Sequence, residues 1–259
     1  MRIARFTTGD DPRYALVDGE AGQEELVVLT GDPIYTPVQA TGERVRLDDA
    51  VRLLAPVIPR SKVIGVGRNY AAHAAEMGNE LPVSPLLFLK PNTAVVGPDD
   101  PIVLPDFTEE VSLEAELAVV IGKVTKNVSP EHALAQVFGY TVANDVTARD
   151  AQRTDDQWAR AKGFDSSCPL GPWIVTDLET DGLAVRSRVN GEAKQDGTTA
   201  DMIFDVAALV AYVSECFTLL PGDVILTGTP AGVALVDHGD VVEVEVEGIG
   251  VLRNPVVRR

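Results

Sequence analysis

The run Ser112-Leu113-Glu114-Ala115-Glu116-Leu117-Ala118-Val119-Val120-Ile121-Gly122 decides how this 259-residue chain is read. It has the pattern of a strand, and side chains alternate faces along a strand, so Glu114 and Glu116 point the same way, roughly 7 Å apart. The opposite face, Leu113, Ala115, Leu117, Val119 and Ile121, is wholly apolar. Val120 shares the glutamate face, so the end of the strand is expected to be buried on both sides, as in a core strand. Two carboxylates at its mouth repel each other. Such a pair persists if water reaches it, if one member holds a proton, or if a cation sits between them. Val242-Glu243-Val244-Glu245-Val246-Glu247-Gly248 repeats the alternation and is expected to be an ordinary solvated face, so spacing alone does not make a site.

Composition narrows the classes. The length suits one large domain, or a large domain carrying a small one. A formal net charge of -17 argues against nucleic acid, whose phosphates demand a basic footprint, and against an anionic membrane surface. A small anionic substrate is still compatible, because a divalent cation and a few converging Arg or Lys side chains invert the local field. Cys168 and Cys216 form no CxxC unit and read as reduced, buried thiols. The N-terminus, Met1-Arg2-Ile3-Ala4-Arg5-Phe6, has no apolar signal-peptide region, and no run approaches a membrane span, so a cytoplasmic protein is expected. With 22 Gly and 17 Pro, many turns between short strands are expected.

Residues 1–58 read as a small separate module, with strands at 1–6, 14–18 and 25–29 and a short helix after Leu47 in which Asp48 or Asp49 caps and Val51, Leu53 and Leu54 are apolar. Next, Gly65 and Gly67 follow a strand and invite a dinucleotide reading, which fails because Tyr70 stands where a third glycine or alanine is needed. Residues 70–78 are helix-prone and place His73 and Glu76 at i, i+3, a pair able to hold an imidazole in one tautomer or simply to lie on a solvated face. Lys90 ends an apolar strand at Pro91 and is either a rim charge or an anion contact. Asp145, Arg149 and Gln152 follow the strand-like run 139–144; Asp145 also suits a capping or turn role. Residues 158–172 hold Lys162 and so many breakers that a long composed loop is expected. Asn190-Gly191 is a hairpin signal, and 205–217 reads as an amphipathic helix. Gly228-Thr229-Pro230-Ala231-Gly232 is a turn whose amides and Thr229 hydroxyl suit a carboxylate, though a tight turn alone explains its glycines.

With those residues in view, the chain resembles the small bacterial and mitochondrial branch of the fumarylacetoacetate hydrolase family. The matching stretches are Gly67-Arg68-Asn69-Tyr70 with His73 and Glu76, Phe88-Leu89-Lys90-Pro91, Glu114 to Lys123, Asn144-Asp145 to Gln152, Lys162 to Pro172, and Thr227-Gly228-Thr229-Pro230. The resemblance implies a mixed α/β, mostly β fold: a rolled-sheet catalytic domain over 59–259, preceded by a small α+β domain over 1–58, usually as a homodimer. It implies Glu114, Glu116 and Asp145 as ligands of Mg2+ or Mn2+, and an all-carboxylate set independently favours a hard cation. It also implies His73 and Glu76 as a general-base dyad on a lid, Lys162 as stabiliser of negative charge, and Arg68, Tyr70, Lys90, Arg149, Gln152, Gly228 and Thr229 as substrate-binding positions. Ala72 and Gly163 depart from the Asp and Ser common at those places. No carboxylate near Asn69 matches the fourth metal ligand of fumarylacetoacetase, so water is expected there.

The chemistry implied is an enolate of a 2-oxo acid held by a metal. His73 with Glu76 favours C–C cleavage, by acylpyruvate hydrolysis or oxaloacetate decarboxylation, with isomerisation of a 2-hydroxyhepta-2,4-diene-1,7-dioate next. A non-catalytic, metal-bound acid-binding protein is the rival from another class. It accounts for the carboxylates but not for Lys162 with His73 and Glu76.

Overall fold

The Ala115–Ile121 strand is buried along its whole length. It pairs antiparallel with Val137–Asn144 on one side and with Val224–Leu226 on the other, so it has no free edge. One of its faces places Leu117, Val119 and Ile121 in a large apolar cluster with Leu209, Val210, Val213, Val242, Val244 and Val246. The other places Ala118 and Val120 in a second cluster with Ile3, Val63, Cys168, Leu170 and Leu226. Burial on both sides is what its near-continuous apolar tail requires.

This architecture is that of a computed structural model, which describes residues 1–20, 22–76, 78 and 80–258. The fold is mixed α/β and mostly β. The main path of its largest sheet runs, in spatial order, 40–46, 25–29, 13–18, 2–7, 168–175, 137–144, 115–121, 224–226, 63–67 and 86–90. A five-stranded sheet follows the order 192–198, 184–189, 241–246, 250–258 and 102–104. The Val206–Cys216 helix, capped by Asp205 Oδ1 accepting the Ala208 N–H at 2.8 Å, buries Val206, Leu209, Val210 and Val213 as its pattern demands. No described helix is long and apolar enough to cross a membrane.

Residues 1–56 contribute strands to the large sheet, with Ile3 opposite Ile174, and carry an apolar cluster of their own around Phe6 and Leu26. The helix expected after Leu47 does not form, so the described part of this module holds strands where an α+β unit was expected. Asp48 instead closes a turn, its Oδ1 accepting the Ala50 N–H at 3.0 Å and its carbonyl the Val51 N–H at 2.9 Å. Arg52–Leu54 then pairs with Arg5–Thr7, because Val51 and Leu53 fit a period of two as well as a helix and the sheet offers an open partner.

Two further elements differ from expectation. The stretch 158–172 contains a short helix, Ala159–Gly163, and the start of the Cys168–Val175 strand. Its prolines are accommodated because the pairing with Val137–Asn144 shifts register between Tyr140 and Val142, which relaxes the demand for a regular ladder. The helix expected over 70–78 is observed over Ala71–Glu76, and Met77 lies outside the described residues. The hairpin at Asn190-Gly191 forms with φ of 52° and 80°, the left-handed values that its tight turn needs. The second alternating run is solvated as expected: Val242, Val244 and Val246 face the core, while Glu245 reaches Arg188 at 3.0 Å.

Candidate active site

Register creates the site. Ala115 stands opposite Asn144, so Glu114 and Asp145 meet at the mouth of the two strands. The Asp145 N–H donates to the Glu114 carbonyl at 3.0 Å, and the Glu114 N–H to Asn144 Oδ1 at 2.9 Å. Glu116, two residues further along, points to the same side. Ligand oxygens of Glu114, Glu116 and Asp145 lie within 4.8 Å of one another, and all three residues are buried.

Cations surround two of the three carboxylates. Lys162 Nζ lies 2.6 Å from Glu114 Oε2 and 2.7 Å from Asp145 Oδ2. Arg149 Nη2 lies 2.5 Å from Glu114 Oε1, with its Nε on Ser112 Oγ at 2.7 Å and its Nη1 on Gln152 Oε1 at 2.9 Å. Burial pushes Glu114 up, but Lys162, Arg149 and His73 outweigh it and hold that carboxyl well below the usual range. Burial likewise pushes Lys162 down, and Asp145 and Glu114 outweigh it, so its pKa rises.

Glu116 differs. Its carboxylate accepts the Gly228 N–H at 2.7 Å, and among the described residues it has no ion-pair partner. Burial, together with the charges of Asp145 and Glu114, raises it well above the ordinary carboxylate value. A buried carboxylate beside two others, without an ion pair of its own among the described residues, is stabilised by added positive charge, and the three candidate ligands are all carboxylate oxygens. The residues therefore fit a hard divalent cation.

His73, on the Ala71–Glu76 helix, is buried rather than solvated. Its Nδ1 lies 3.2 Å from Glu76 Oε2, and its Nε2 lies 4.0 Å from Glu114 Oε1. Glu76 also accepts the Gly232 N–H, at 3.1 and 3.2 Å from its two oxygens, which ties the helix to the turn after Thr229. A cleft of about 260 Å³ opens here, walled by Arg68, His73, Glu114, Glu116, Arg149, Gln152, Lys162 and Thr229.

Three other positions sit differently. Lys90 is no rim charge; it is 1% exposed, with Nζ 2.5 Å from Asp145 Oδ1 on the core side. Tyr70 is fully buried, and among the described residues its hydroxyl has no hydrogen-bond partner. The Gly228 amide is directed to Glu116, and a Cβ at Gly228 would stand 2.8 Å from Asn69 Cβ, which with φ of 97° explains the glycine. Gly65 is a packing glycine, since a Cβ there would stand 2.0 Å from Phe88 Cζ. The Phe88 ring in turn meets Trp158 edge-on at 5.7 Å and lies 4.9 Å from Lys162 Nζ.

Several residues of the site were given no role by the sequence. Trp158 walls the cleft from a stretch read only as breaker-rich. Asn69 clamps two segments through Nδ2, donating to the Phe204 carbonyl at 2.9 Å and the Thr227 carbonyl at 2.8 Å. Gln195 reaches Ala115 and Thr229 from a hairpin strand, where a polar residue looks ordinary.

Comparisons with known proteins bear on the family and the fold. The sequence profile described as Fumarylacetoacetate (FAA) hydrolase C-terminal matches residues 62–257, and that described as Rv2993c-like, N-terminal matches residues 1–56. The chain is 50% identical to Protein Rv2993c of Mycobacterium tuberculosis over 265 residues, 100% of this chain and 99% of that protein. It is 46% identical to oxaloacetate tautomerase fahd2, mitochondrial, of Xenopus laevis over 288 residues, 99% of this chain and 90% of the relative. The crystal structure of 2-hydroxyhepta-2,4-diene-1,7-dioate isomerase from Mycobacterium marinum superposes with a TM-score of 0.92 at 47% identity, covering 100% of this chain and 99% of that one. Fumarylpyruvate hydrolase from Pseudomonas aeruginosa, solved in complex with Mn2+ and pyruvate, superposes with a TM-score of 0.74 at 35% identity, covering 82% and 94%. Profile, relatives and structures converge, and the chain belongs to the fumarylacetoacetate hydrolase family.

Proposed function

We propose that this chain is a Mg2+- or Mn2+-dependent enzyme that moves a proton at C3 of a small 2-oxo acid, interconverting the keto and enol forms of a dicarboxylate such as oxaloacetate. The observation that carries this reading is the placement of His73, with Nδ1 held by Glu76 and Nε2 facing the carboxylate triad. A donor on Nδ1 directed at Glu76 leaves Nε2 free to accept a proton, the arrangement of a general base. The Xenopus relative named as an oxaloacetate tautomerase, matched over nearly its whole length, supports the same reaction class.

Glu114, Glu116 and Asp145 would hold the cation, which when bound supplies Lewis acidity toward the carboxylate and 2-oxo oxygens of the substrate. Lys162 stays protonated, because the two carboxylates beside it raise its pKa, and its ammonium stabilises negative charge developing on the substrate. Arg149 and Gln152, already hydrogen-bonded to each other, orient substrate oxygens, and Arg68 on the cleft wall faces the distal group. A cytoplasmic homodimer is part of this proposal.

A second reading is C–C cleavage, in which His73 activates water for acylpyruvate hydrolysis, or in which oxaloacetate loses CO2. The P. aeruginosa hydrolase supports it through its Mn2+ and pyruvate. Oxaloacetate ketonisation followed optically, beside turnover of acetylpyruvate and release of pyruvate from oxaloacetate, separates the readings. Activity that survives exhaustive chelation defeats both, and no turnover of any 2-oxo acid leaves a metal-bound binding protein.

A further inference from the structure

Gln195, on the Glu192–Thr198 strand, is buried and joins three parts of the molecule. Its Oε1 accepts the Ala115 N–H at 3.0 Å and the Ser187 hydroxyl at 2.9 Å. Its Nε2 donates to the Pro230 carbonyl at 2.8 Å and to Thr229 Oγ1 at 2.7 Å. The amide cannot be turned over, since a backbone N–H at one end demands oxygen and a backbone carbonyl at the other demands nitrogen. Thr229 Oγ1 thus receives a hydrogen bond from Gln195 and directs its own proton to the Ala115 carbonyl, 2.9 Å away. A hydroxyl has one proton and two lone pairs, so what remains is a single lone pair. Ala115 is fully buried, and swinging the proton toward a ligand would strip its carbonyl of this donor.

We infer that Gln195 is a positioning residue that fixes Thr229 as a hydrogen-bond acceptor on the cleft wall, so that a ligand meets this hydroxyl with the O–H of an enol or 2-hydroxy group and not with a carboxylate. The polarity is opposite to the carboxylate contact that the glycine-rich turn suggests. For its ligand class the inference rests on the proposed function; the position of the proton does not.

Neutron diffraction from crystals of the perdeuterated full chain reads that position directly. The expected deuteron on Thr229 Oγ1 lies on the line to the Ala115 carbonyl, and a deuteron directed into the cleft overturns the inference. Kinetics with oxaloacetate add a double-mutant cycle between Gln195→Met and Thr229→Val. Gln195→Met is expected to raise KM roughly threefold to tenfold, the range of one lost hydrogen bond, with kcat little changed. In the Thr229→Val background the same change should have no further effect, whereas an equal effect in both backgrounds reveals a structural role only and overturns the assignment. A wild-type protein without turnover on any 2-oxo acid defeats the proposed function, while the deuteron still decides this inference.

Discussion

Lys90 Nζ lies 2.5 Å from Asp145 Oδ1, with both side chains essentially removed from water. Asp145 is therefore held from the core side by Lys90 and from the cleft side by Lys162, which fixes its carboxylate beside the two glutamates. Removing one partner of a buried pair costs up to about 3–5 kcal/mol when the other is left alone, and Lys162, which stays on Asp145, puts the expectation at the lower end of that range. Lys90→Met is expected to lower unfolding free energy by that order in urea titrations. A loss under about 1 kcal/mol, the value of a surface pair, would show that Asp145 does not depend on it.

The histidine carries a separable prediction. His73→Ala should reduce kcat by about 100-fold to 10,000-fold, the usual contribution of a general base, without weakening Mn2+ binding, because His73 is outside the carboxylate triad. Glu76→Gln should have a smaller effect in the same direction, since it changes the partner of Nδ1 while its amide oxygen can still accept the Gly232 N–H. If C–C cleavage occurs, His73→Ala should spare decarboxylation more than hydrolysis, and equal losses in steady-state assays of both would count against water activation.

Glu116 makes the metal-free protein sensitive to pH. Burial and its two acidic neighbours raise its pKa in the folded state above the ordinary 4.5. A raised folded value means the folded protein binds the proton more tightly than the unfolded chain does. The stabilisation is complete below 4.5 and is lost as pH climbs through the raised value. Thermal scans of chelated protein should show Tm falling with rising pH over that window. Glu116→Gln should flatten the slope, and saturating Mg2+ should restore Tm at the upper end. A Tm that rises with pH across the window would contradict the assignment.

Gly65 offers a test of the scaffold. Gly65→Ala drives a methyl into the Phe88 ring, which also supports Trp158 and lies close to Lys162 Nζ. Overpacking of this kind costs about 1–3 kcal/mol. Circular dichroism melts should show that loss, with a rise in KM because the cleft wall moves. An unchanged KM would mean the ring relaxes away from Lys162.

Much of the central strand was legible because its signal is local. A period of two with an apolar tail specifies both burial and the convergence of Glu114 and Glu116, and the structure keeps both, although the strand begins only at Ala115 and Val111–Ser112 pairs in another sheet. The convergence of Asp145 is a matter of register between distant segments, which no spacing records; only resemblance pointed to it. Val51 and Leu53 satisfied helix and strand periods alike, and tertiary pairing with Arg5–Thr7 decided for the strand. The prolines at 169 and 172 concealed a strand because an irregular register can absorb them. Burial of Lys90 was hidden since a lysine at a strand end ordinarily reaches water. Gln195 was invisible because its partners, Ala115, Ser187 and the adjacent Thr229 and Pro230, come from three other segments.

The central claim is that three buried carboxylates hold one hard divalent ion. Isothermal titration of Mn2+ into chelator-stripped protein tests it most directly, with Glu116→Gln and Asp145→Asn run beside the wild type. We expect one Mn2+ per chain, with proton release that grows as pH falls toward the region where Glu116 is protonated, and loss of that site in each variant. No binding to the wild type, or binding left unchanged by both substitutions, would contradict the account.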